Sequence, residues 1–160
     1  MKLSRLGALT VVVSMVGCGD AASKADDGTL LSPYLAIADA LAHDGVEPVA
    51  ELAPQVAKLA SASAGEPGAD ALGSSAATLA GQDLETARTT FKTMSAGMIE
   101  YLRAHPDQQA GLTLVHCPMA FSGKGGVWVQ REGKVMNPYE GSRMLHCGEK
   151  LGWSAELPQT

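Results

Sequence analysis

The chain has 160 residues, a formal net charge of −5, and only two Phe, three Tyr and two Trp. This length is enough for one compact domain and too short for two of ordinary size. The acidic balance argues against nucleic acid and anionic lipid headgroups as partners. Because aromatic residues are scarce, the core must depend on Leu, Val, Met and many Ala, and Ala-rich helices bury little area each.

The N-terminal segment has the pattern of a bacterial secretion signal. Two cationic residues precede an apolar run (residues 6–16) that is too short to span a bilayer. Cys18 follows small residues, as in the lipobox of a lipoprotein, so we expect residues 1–17 to be a signal peptide and Cys18 to be lipidated. An ordinary cleaved signal is the alternative. Residues 18–29 are small, polar and charged, which predicts a flexible tether at a membrane in the periplasm, with inner or outer membrane left open.

Four amphipathic helical patterns follow in chain order. The first begins at Ser32, predicted as the N-cap before a proline, and ends at Asp44. The second contains Pro54, which predicts either a kink or a helix start at that residue. The third, over residues 70–80, is weak, and the fourth is strong, with Asp83 as its cap. Four helices joined by short links predict a small antiparallel helical bundle.

After the fourth helix the composition changes to Gly, Pro and β-forming residues. Residues 112–115 predict a strand, and residues 127–130 with residues 134–136 predict a β-hairpin. We therefore expect a mainly α fold, a bundle of about four helices with a C-terminal irregular β-hairpin cap. This domain is expected to cover residues 30–150, followed by a C-terminal tail over residues 151–160.

The last third of the chain concentrates metal-binding side chains at two points. Each point offers one imidazole, one thiol and one thioether: His116, Cys117 and Met119, then Met144, His146 and Cys147. Thiolate, thioether and imidazole together suit Cu(I), and the same soft donors suit Ag(I). The sequence therefore predicts a non-enzymatic, metal-handling domain.

Local geometry favours four of these donors. The proline after Cys117 favours extended backbone, so Cys117 and Met119, two residues apart, can face the same side. Met144 and Cys147 are three residues apart and would share one face of a single helical turn. The two histidines would then point elsewhere, so a site of two Cys and two Met is favoured over one that uses every donor.

The same cysteines are also candidates for a disulfide. With Cys18 lipidated, Cys117 and Cys147 form an even pair in an oxidising compartment. A bridge that closes a loop of about 30 residues contributes about 3–4 kcal/mol of stability. A disulfide cannot offer thiolates to a metal, so the two hypotheses exclude each other at any instant. Zinc bound by the two Cys and two His is a further alternative, although the spacing matches no compact zinc motif.

Two other patterns do not support catalysis. Residues 122–126 have the glycines and lysine of a phosphate-binding loop but not their spacing, and a flexible turn fits better. His116 next to Cys117 could suggest an activated nucleophile, yet adjacent residues on an extended segment diverge. We therefore expect no catalytic residues, no enzymatic activity and no organic cofactor.

Several blocks of the sequence resemble an uncharacterised bacterial periplasmic domain. The matching segments are residues 117–121, 126–130, 137–139, 141–145 and 147–148, with residues 34–44 and 88–95 in the helical part. That domain occurs alone behind a secretion signal, or at the C-terminus of adaptor subunits of copper/silver-type heavy-metal efflux pumps. The resemblance implies a helical domain associated with heavy-metal resistance, without a settled activity.

Carried over by position, the resemblance implies Cys117, Met119, Met144 and Cys147 as the metal ligands, whereas the histidines are not part of its pattern. We therefore expect a membrane-tethered periplasmic protein that binds Cu(I) or Ag(I) and buffers the metal or hands it to an efflux system. Its contact with a pump component would be made in trans. The alternative is a disulfide-stabilised, non-enzymatic interaction module that docks on an envelope or efflux-pump protein.

Overall fold

The computed structural model describes residues 28–158, so the expected signal peptide and the lipidation of Cys18 lie outside the described residues. The structure is about 53% helical and carries a small three-stranded antiparallel sheet. The predicted mainly α class is therefore confirmed. Between residues 28 and 158, no helix has the length and apolar character needed to cross a membrane.

Four long helices precede the sheet. They are α1 (Leu31–Ala42), α2 (Glu47–Ala62), α3 (Ala69–Leu79) and α4 (Leu84–Ala104). The predicted cap of α4 is confirmed, because the Asp83 carboxylate accepts the backbone N–H groups of Glu85 and Thr86 at 3.1 Å each. A short 3₁₀ helix, Pro106–Gln108, follows α4.

One predicted helix start is wrong, and the structure excludes one of the two alternatives at Pro54. Ser32 is not the N-cap of α1; Leu30 occupies that position and makes no side-chain cap. Helix α2 does not begin at Pro54 but contains it, and starts at Glu47 with a proline in its first turn. The interior proline removes one backbone N–H donor, and packing of the apolar face of α2 offsets this loss.

The helices share one core. Helix α1 contacts α2 and α4, α2 contacts α3, and α3 contacts α4. The largest fully buried helical side chains are Tyr34, Ile37, Leu41, Leu72, Leu79, Phe91, Met94, Met98 and Leu102. Helices α3 and α4 meet closely at two glycines, since a Cβ added at Gly97 would lie 2.8 Å from the carbonyl oxygen of Gly68.

The sheet consists of β1 (Leu112–Cys117), β2 (Gly126–Arg131) and β3 (Glu149–Leu151), in the order β2-β1-β3. Strand β1 pairs antiparallel with both neighbours, so that Val115 lies opposite Trp128 and His116 lies opposite Glu149. The predicted strand at residues 112–115 is confirmed. The predicted hairpin is wrong, because β2 pairs with β1 and residues 134–136 form no strand.

The side chain of Gln130 explains why residues 134–136 lie beside β2 without a backbone ladder. Its amide oxygen accepts the N–H of Met136 at 3.1 Å and the indole N–H of Trp128 at 3.2 Å. Its amide nitrogen donates to the carbonyl of Lys134 at 2.9 Å. One buried amide therefore supplies the bonds that a paired strand would have made.

The outer edge of β2 is closed by two buried tyrosines. The Val129 N–H donates to the Tyr34 hydroxyl at 3.1 Å, and the Tyr139 hydroxyl donates to the Val127 carbonyl at 2.6 Å. These hydroxyls satisfy edge groups that would otherwise be unpaired. Burial raises the pKa of Tyr34 to about 12, so this hydroxyl is protonated at any physiological pH.

The end of β3 and the segment after it lie against the rest of the fold. Leu151, Trp153 and Leu157 are partly buried against the core. Arg103 of α4 donates to the carbonyl of Ala155 at 2.7 Å. A short element α5 (Ala120–Gly123) connects β1 to β2, and a 3₁₀ turn, Gly141–Arg143, precedes β3.

Candidate functional site

Cys117 is the last residue of β1 and its side chain is fully buried. It lies opposite Gly126 of β2, on the same face of the sheet as Val115 and Trp128, because side chains two residues apart share a face. The expected extended conformation of Cys117 is therefore confirmed. This face of the sheet is covered by the segment that leads to Cys147.

Met119 does not continue the extended strand. Its backbone is helical, at φ −85° and ψ −15°, where the chain enters α5. The prediction that Cys117 and Met119 lie on one extended segment is wrong, because the chain turns immediately after Pro118. The Met119 side chain is 57% exposed, which makes it the one large apolar side chain exposed to solvent within residues 28–158.

The connection between β1 and β2 contains unusual backbone. Phe121 and Ser122 adopt left-handed conformations, with φ of 53° and 59°. Such conformations cost about 1 kcal/mol or more per non-glycine residue, so surrounding contacts must hold them. The Phe121 ring provides such contacts, because it packs at 5.0 Å from Tyr139 and lies below the Lys92 ammonium at 4.9 Å.

Cys147 ends a turn that begins at Met144, and its N–H donates to the Met144 carbonyl at 2.9 Å. The two residues therefore lie in one turn, as the spacing suggested. Both side chains are half-buried. The backbone N–H of Met119 lowers the pKa of the Cys147 thiol, which places the two ends of the candidate site close together.

Asn137 holds the segment that carries Cys147. Its side chain is fully buried, its amide nitrogen donates to the Cys147 carbonyl at 3.0 Å, and its backbone N–H donates to the Leu145 carbonyl at 2.8 Å. Its amide oxygen accepts the N–H groups of Tyr139 and Glu140. A single amide thus fixes both ends of the loop over residues 137–147.

Two glycines allow this loop to lie directly on the sheet. A Cβ added at Gly148 would lie 2.7 Å from a methyl group of Val115 and 3.1 Å from the Trp128 ring. A Cβ added at Gly126 would lie 2.6 Å from the Tyr139 ring. Only glycine permits these approaches, and they bring Cys147 beside Cys117.

The two sulfur atoms lie 2.6 Å apart, and both cysteines are free thiols in this structure. This separation is well inside ordinary non-bonded contact. Burial, the adjacent Cys117 thiol and the nearby Glu140 carboxylate raise the pKa of Cys147 to about 11, although the N–H of Met119 opposes this shift. Cys147 is therefore protonated at neutral pH.

The two histidines use their Nδ1 atoms away from the sulfur pair. His116 is buried, and its Nδ1 lies 3.3 Å from the Glu149 carboxylate. His146 is exposed, and its Nδ1 lies 2.8 Å from the Val135 carbonyl oxygen. Within the described part of the chain, no three His, Cys, Asp or Glu side chains are grouped so that they could hold a metal ion.

An ion pair that sequence reasoning missed ties the loop to the helices. Arg88 of α4 donates to the Asp44 carboxylate at 2.5 Å, to the Leu41 carbonyl at 2.9 Å and to the Pro138 carbonyl at 3.0 Å. Hydrogen bonds from Ser142 and Arg88 lower the pKa of Asp44. No local pattern could have indicated this cluster, because Arg88 is 44 residues or more from each of these partners.

Comparisons with protein families, with curated proteins and with solved structures yield no match for this chain. The resemblance to a periplasmic domain of heavy-metal efflux systems therefore stays a prediction, as do the ligand set and partners that it implies. The structure brings Cys117, Cys147 and the Met119 backbone together, and this sulfur pair is the centre of the candidate site.

Proposed function

We propose that this chain is a lipid-tethered, non-enzymatic interaction module of the bacterial envelope, stabilised by a Cys117–Cys147 disulfide. Within this proposal the helices form an antiparallel bundle, and the sheet with the loop over residues 137–147 forms its cap. The module acts by docking on an envelope protein, with a heavy-metal efflux component as the proposed partner. The contact between the two sulfur atoms is the observation that carries this proposal.

The spacing of the sulfur atoms supports a disulfide bridge rather than the binding of one metal ion by both sulfur atoms. Two sulfur ligands at about 2.3 Å from one tetrahedral metal ion lie about 3.8 Å apart. The observed 2.6 Å is shorter than this distance, whereas a bond of about 2.05 Å requires only a small approach. The raised pKa of Cys147 also works against the thiolate that a metal needs. In an oxidising compartment such a pair forms a disulfide.

The connection between β1 and β2 provides the docking surface in this proposal. Met119 projects into solvent from this connection and is flexible and polarisable, a residue type that is common at binding surfaces. The Lys92 ammonium lies over the Phe121 ring of this connection, and Lys124 belongs to the connection itself, so the region carries two cationic groups. Burial together with Lys124 lowers the pKa of Lys92. An acidic partner surface with an apolar centre would complement this arrangement.

A second candidate function is the binding of Cu(I) or Ag(I) by the reduced protein. The exposure of Met119 favours it, because a thioether that is not packed into the core can turn toward the sulfur pair. Cys117, Met119, Met144 and Cys147 would be the ligands, after the two sulfur atoms move apart. Such a protein would buffer the metal or hand it to an efflux system.

A thiol count on the mature protein from the periplasm tests the first candidate. We expect no reactive thiol at residues 117 and 147 before reduction and two after it. Titration of both forms with Cu(I) against a competing chelator then tests the second candidate. If neither form binds Cu(I), only the interaction module remains as a candidate function. Two free thiols in the isolated protein would contradict the proposed bridge.

Matched variants distinguish the proposed ligands from residues that only support the fold. If the reduced protein binds one equivalent of Cu(I), the double variant Met119→Leu plus Met144→Leu should abolish this binding. The variant Met136→Leu serves as the control. Met136 is half-buried, and its backbone N–H is already bound by Gln130. For the docking proposal, a photo-crosslinking residue at position 119 should capture an envelope protein in cells, whereas the same residue at the exposed Glu51 of α2 should not.

A further inference from the structure

The two sulfur atoms of the pair differ in their access to solvent. The Cys117 side chain is fully buried on the face of the sheet that the segment leading to Cys147 covers. Cys147 is half-buried at the end of a surface turn, between the exposed His146 and Gly148. A reagent in solution therefore has better access to Cys147 than to Cys117.

We propose that Cys147 is the entry sulfur of this pair, at which external disulfides and thiols react through a mixed disulfide, and that Cys117 is the buried resolving thiol. The reaction partner is a disulfide or dithiol of the envelope, either a small molecule or a protein. This inference rests on the proposed function, because it takes Cys117 and Cys147 to be a redox pair. It adds the order in which their bonds form and break.

Oxidation then proceeds in two displacements. Cys147 loses its proton and attacks one sulfur of the external disulfide, which forms a mixed disulfide and releases the first external thiol. Cys117 loses its proton and attacks the Cys147 sulfur, which forms the internal bridge and releases the second external thiol. Two protein thiols lose two electrons in total, and one external disulfide is reduced to two thiols.

Reduction follows the same path in reverse. An external thiolate attacks the Cys147 sulfur and expels Cys117 as a thiolate, which takes up a proton inside the sheet. A second external thiolate then attacks the external sulfur of the mixed disulfide. An external disulfide forms, and the bond between the external sulfur and the Cys147 sulfur breaks. Cys147 leaves in this step as a thiolate and takes up a proton.

The test uses the full-length chain, reduced and then exposed to oxidised glutathione under native conditions. Cys117→Ser leaves Cys147 as the reactive residue of the pair, and Cys147→Ser leaves Cys117. We expect the glutathione adduct to form at least about tenfold faster on Cys147 than on Cys117. In guanidinium chloride the two rates should converge, because burial no longer protects Cys117. Equal native rates, or a faster reaction at Cys117, would overturn the proposal.

A second measurement does not depend on the folding of either variant. Reduced wild-type protein receives a brief pulse of iodoacetamide and is then digested with trypsin. Cleavage after Arg103, Lys124, Arg143 and Lys150 places the two cysteines in separate peptides, residues 104–124 and 144–150. The peptide with Cys147 should be labelled first. This order is independent of whether the pair is oxidised in the periplasm, so failure of the inference and failure of the proposed bridge give different results.

Discussion

The hydroxyl of Tyr34 in α1 accepts the backbone N–H of Val129 in β2 at 3.1 Å, across 95 residues of sequence. The same hydroxyl lies 2.9 Å from the Ser95 hydroxyl of α4. One buried side chain thus connects the first helix, the last long helix and the edge of the sheet. This contact joins the helical and the β part of the fold into one core.

Tyr34→Phe is expected to destabilise the protein by about 1–3 kcal/mol, because it leaves the buried Val129 N–H without an acceptor. Urea unfolding at neutral pH measures the change. Tyr101→Phe is the matched control, since Tyr101 is only partly buried and its hydroxyl makes no hydrogen bond within residues 28–158. Equal changes in the two variants would show that the hydrogen bonds of the Tyr34 hydroxyl contribute no more to stability than an ordinary tyrosine hydroxyl does.

Gly97→Ala is expected to destabilise the contact between α3 and α4 by about 1–3 kcal/mol. The added Cβ would meet the Gly68 carbonyl oxygen at 2.8 Å and the Ala71 Cβ at 3.0 Å, and neither atom can turn away. Gly73→Ala is the control in α3, where the nearest atom would be at 3.4 Å. There we expect a change near zero or a gain of up to about 1 kcal/mol from helix propensity. Thermal unfolding of both variants provides the comparison.

Asn137→Asp is expected to weaken the bridge between Cys117 and Cys147. The variant keeps an oxygen for the Tyr139 and Glu140 N–H groups but loses the N–H that donates to the Cys147 carbonyl. It also places a carboxylate at a fully buried position. We expect the equilibrium with reduced and oxidised glutathione to shift toward the dithiol by about tenfold, or about 1.4 kcal/mol.

Unfolding of the fully reduced forms provides the control for this variant. If Asn137→Asp lowers the stability of the reduced protein as much as that of the oxidised protein, Asn137 stabilises the loop in general. That outcome would appear as an unchanged glutathione equilibrium, and it would show that Asn137 does not position Cys147 for the bridge. A selective loss in the oxidised form is the expected result.

The ion pair of Asp44 and Arg88 is expected to make stability depend on acid pH. The pKa of Asp44 is lowered from 3.8 by hydrogen bonds from Ser142 and Arg88. Its contribution is therefore complete above about pH 5 and is lost as the pH falls through the folded-state pKa. Asp44→Asn should reduce stability at pH 7 and have a smaller effect at pH 3.

Urea unfolding of wild type and variant at both pH values measures this difference. Asp39→Asn is the control, because Asp39 is an exposed residue of α1, five residues before Asp44. An Asp44→Asn effect of the same size at both pH values would assign the loss to shape and not to charge. The expected effect at pH 7 is about 1 kcal/mol, since Asp44 is partly exposed.

The helices could be predicted from sequence because their signals are local. The apolar positions of α4 repeat with helical spacing, and its cap lies within three residues of the groups it binds. The hairpin prediction failed for the opposite reason. Strand patterns show which residues form strands but not which strand pairs with which. Here the Gln130 side chain makes the hydrogen bonds to residues 134–136 that the predicted hairpin would have made through its backbone.

The sequence by itself determined the mainly α class and the ends of the strongest helix. It also identified Cys117 and Cys147 as partners, either in a disulfide or in a metal site. Only the tertiary structure decided that Met119 leaves the strand and projects into solvent, that the histidines turn away, and that one sulfur is buried while the other is half-exposed. The physical reason is that capping and periodicity act over a few residues. Burial and contact depend instead on which distant segments meet, as Gly148 does with Val115 and Arg88 does with Asp44.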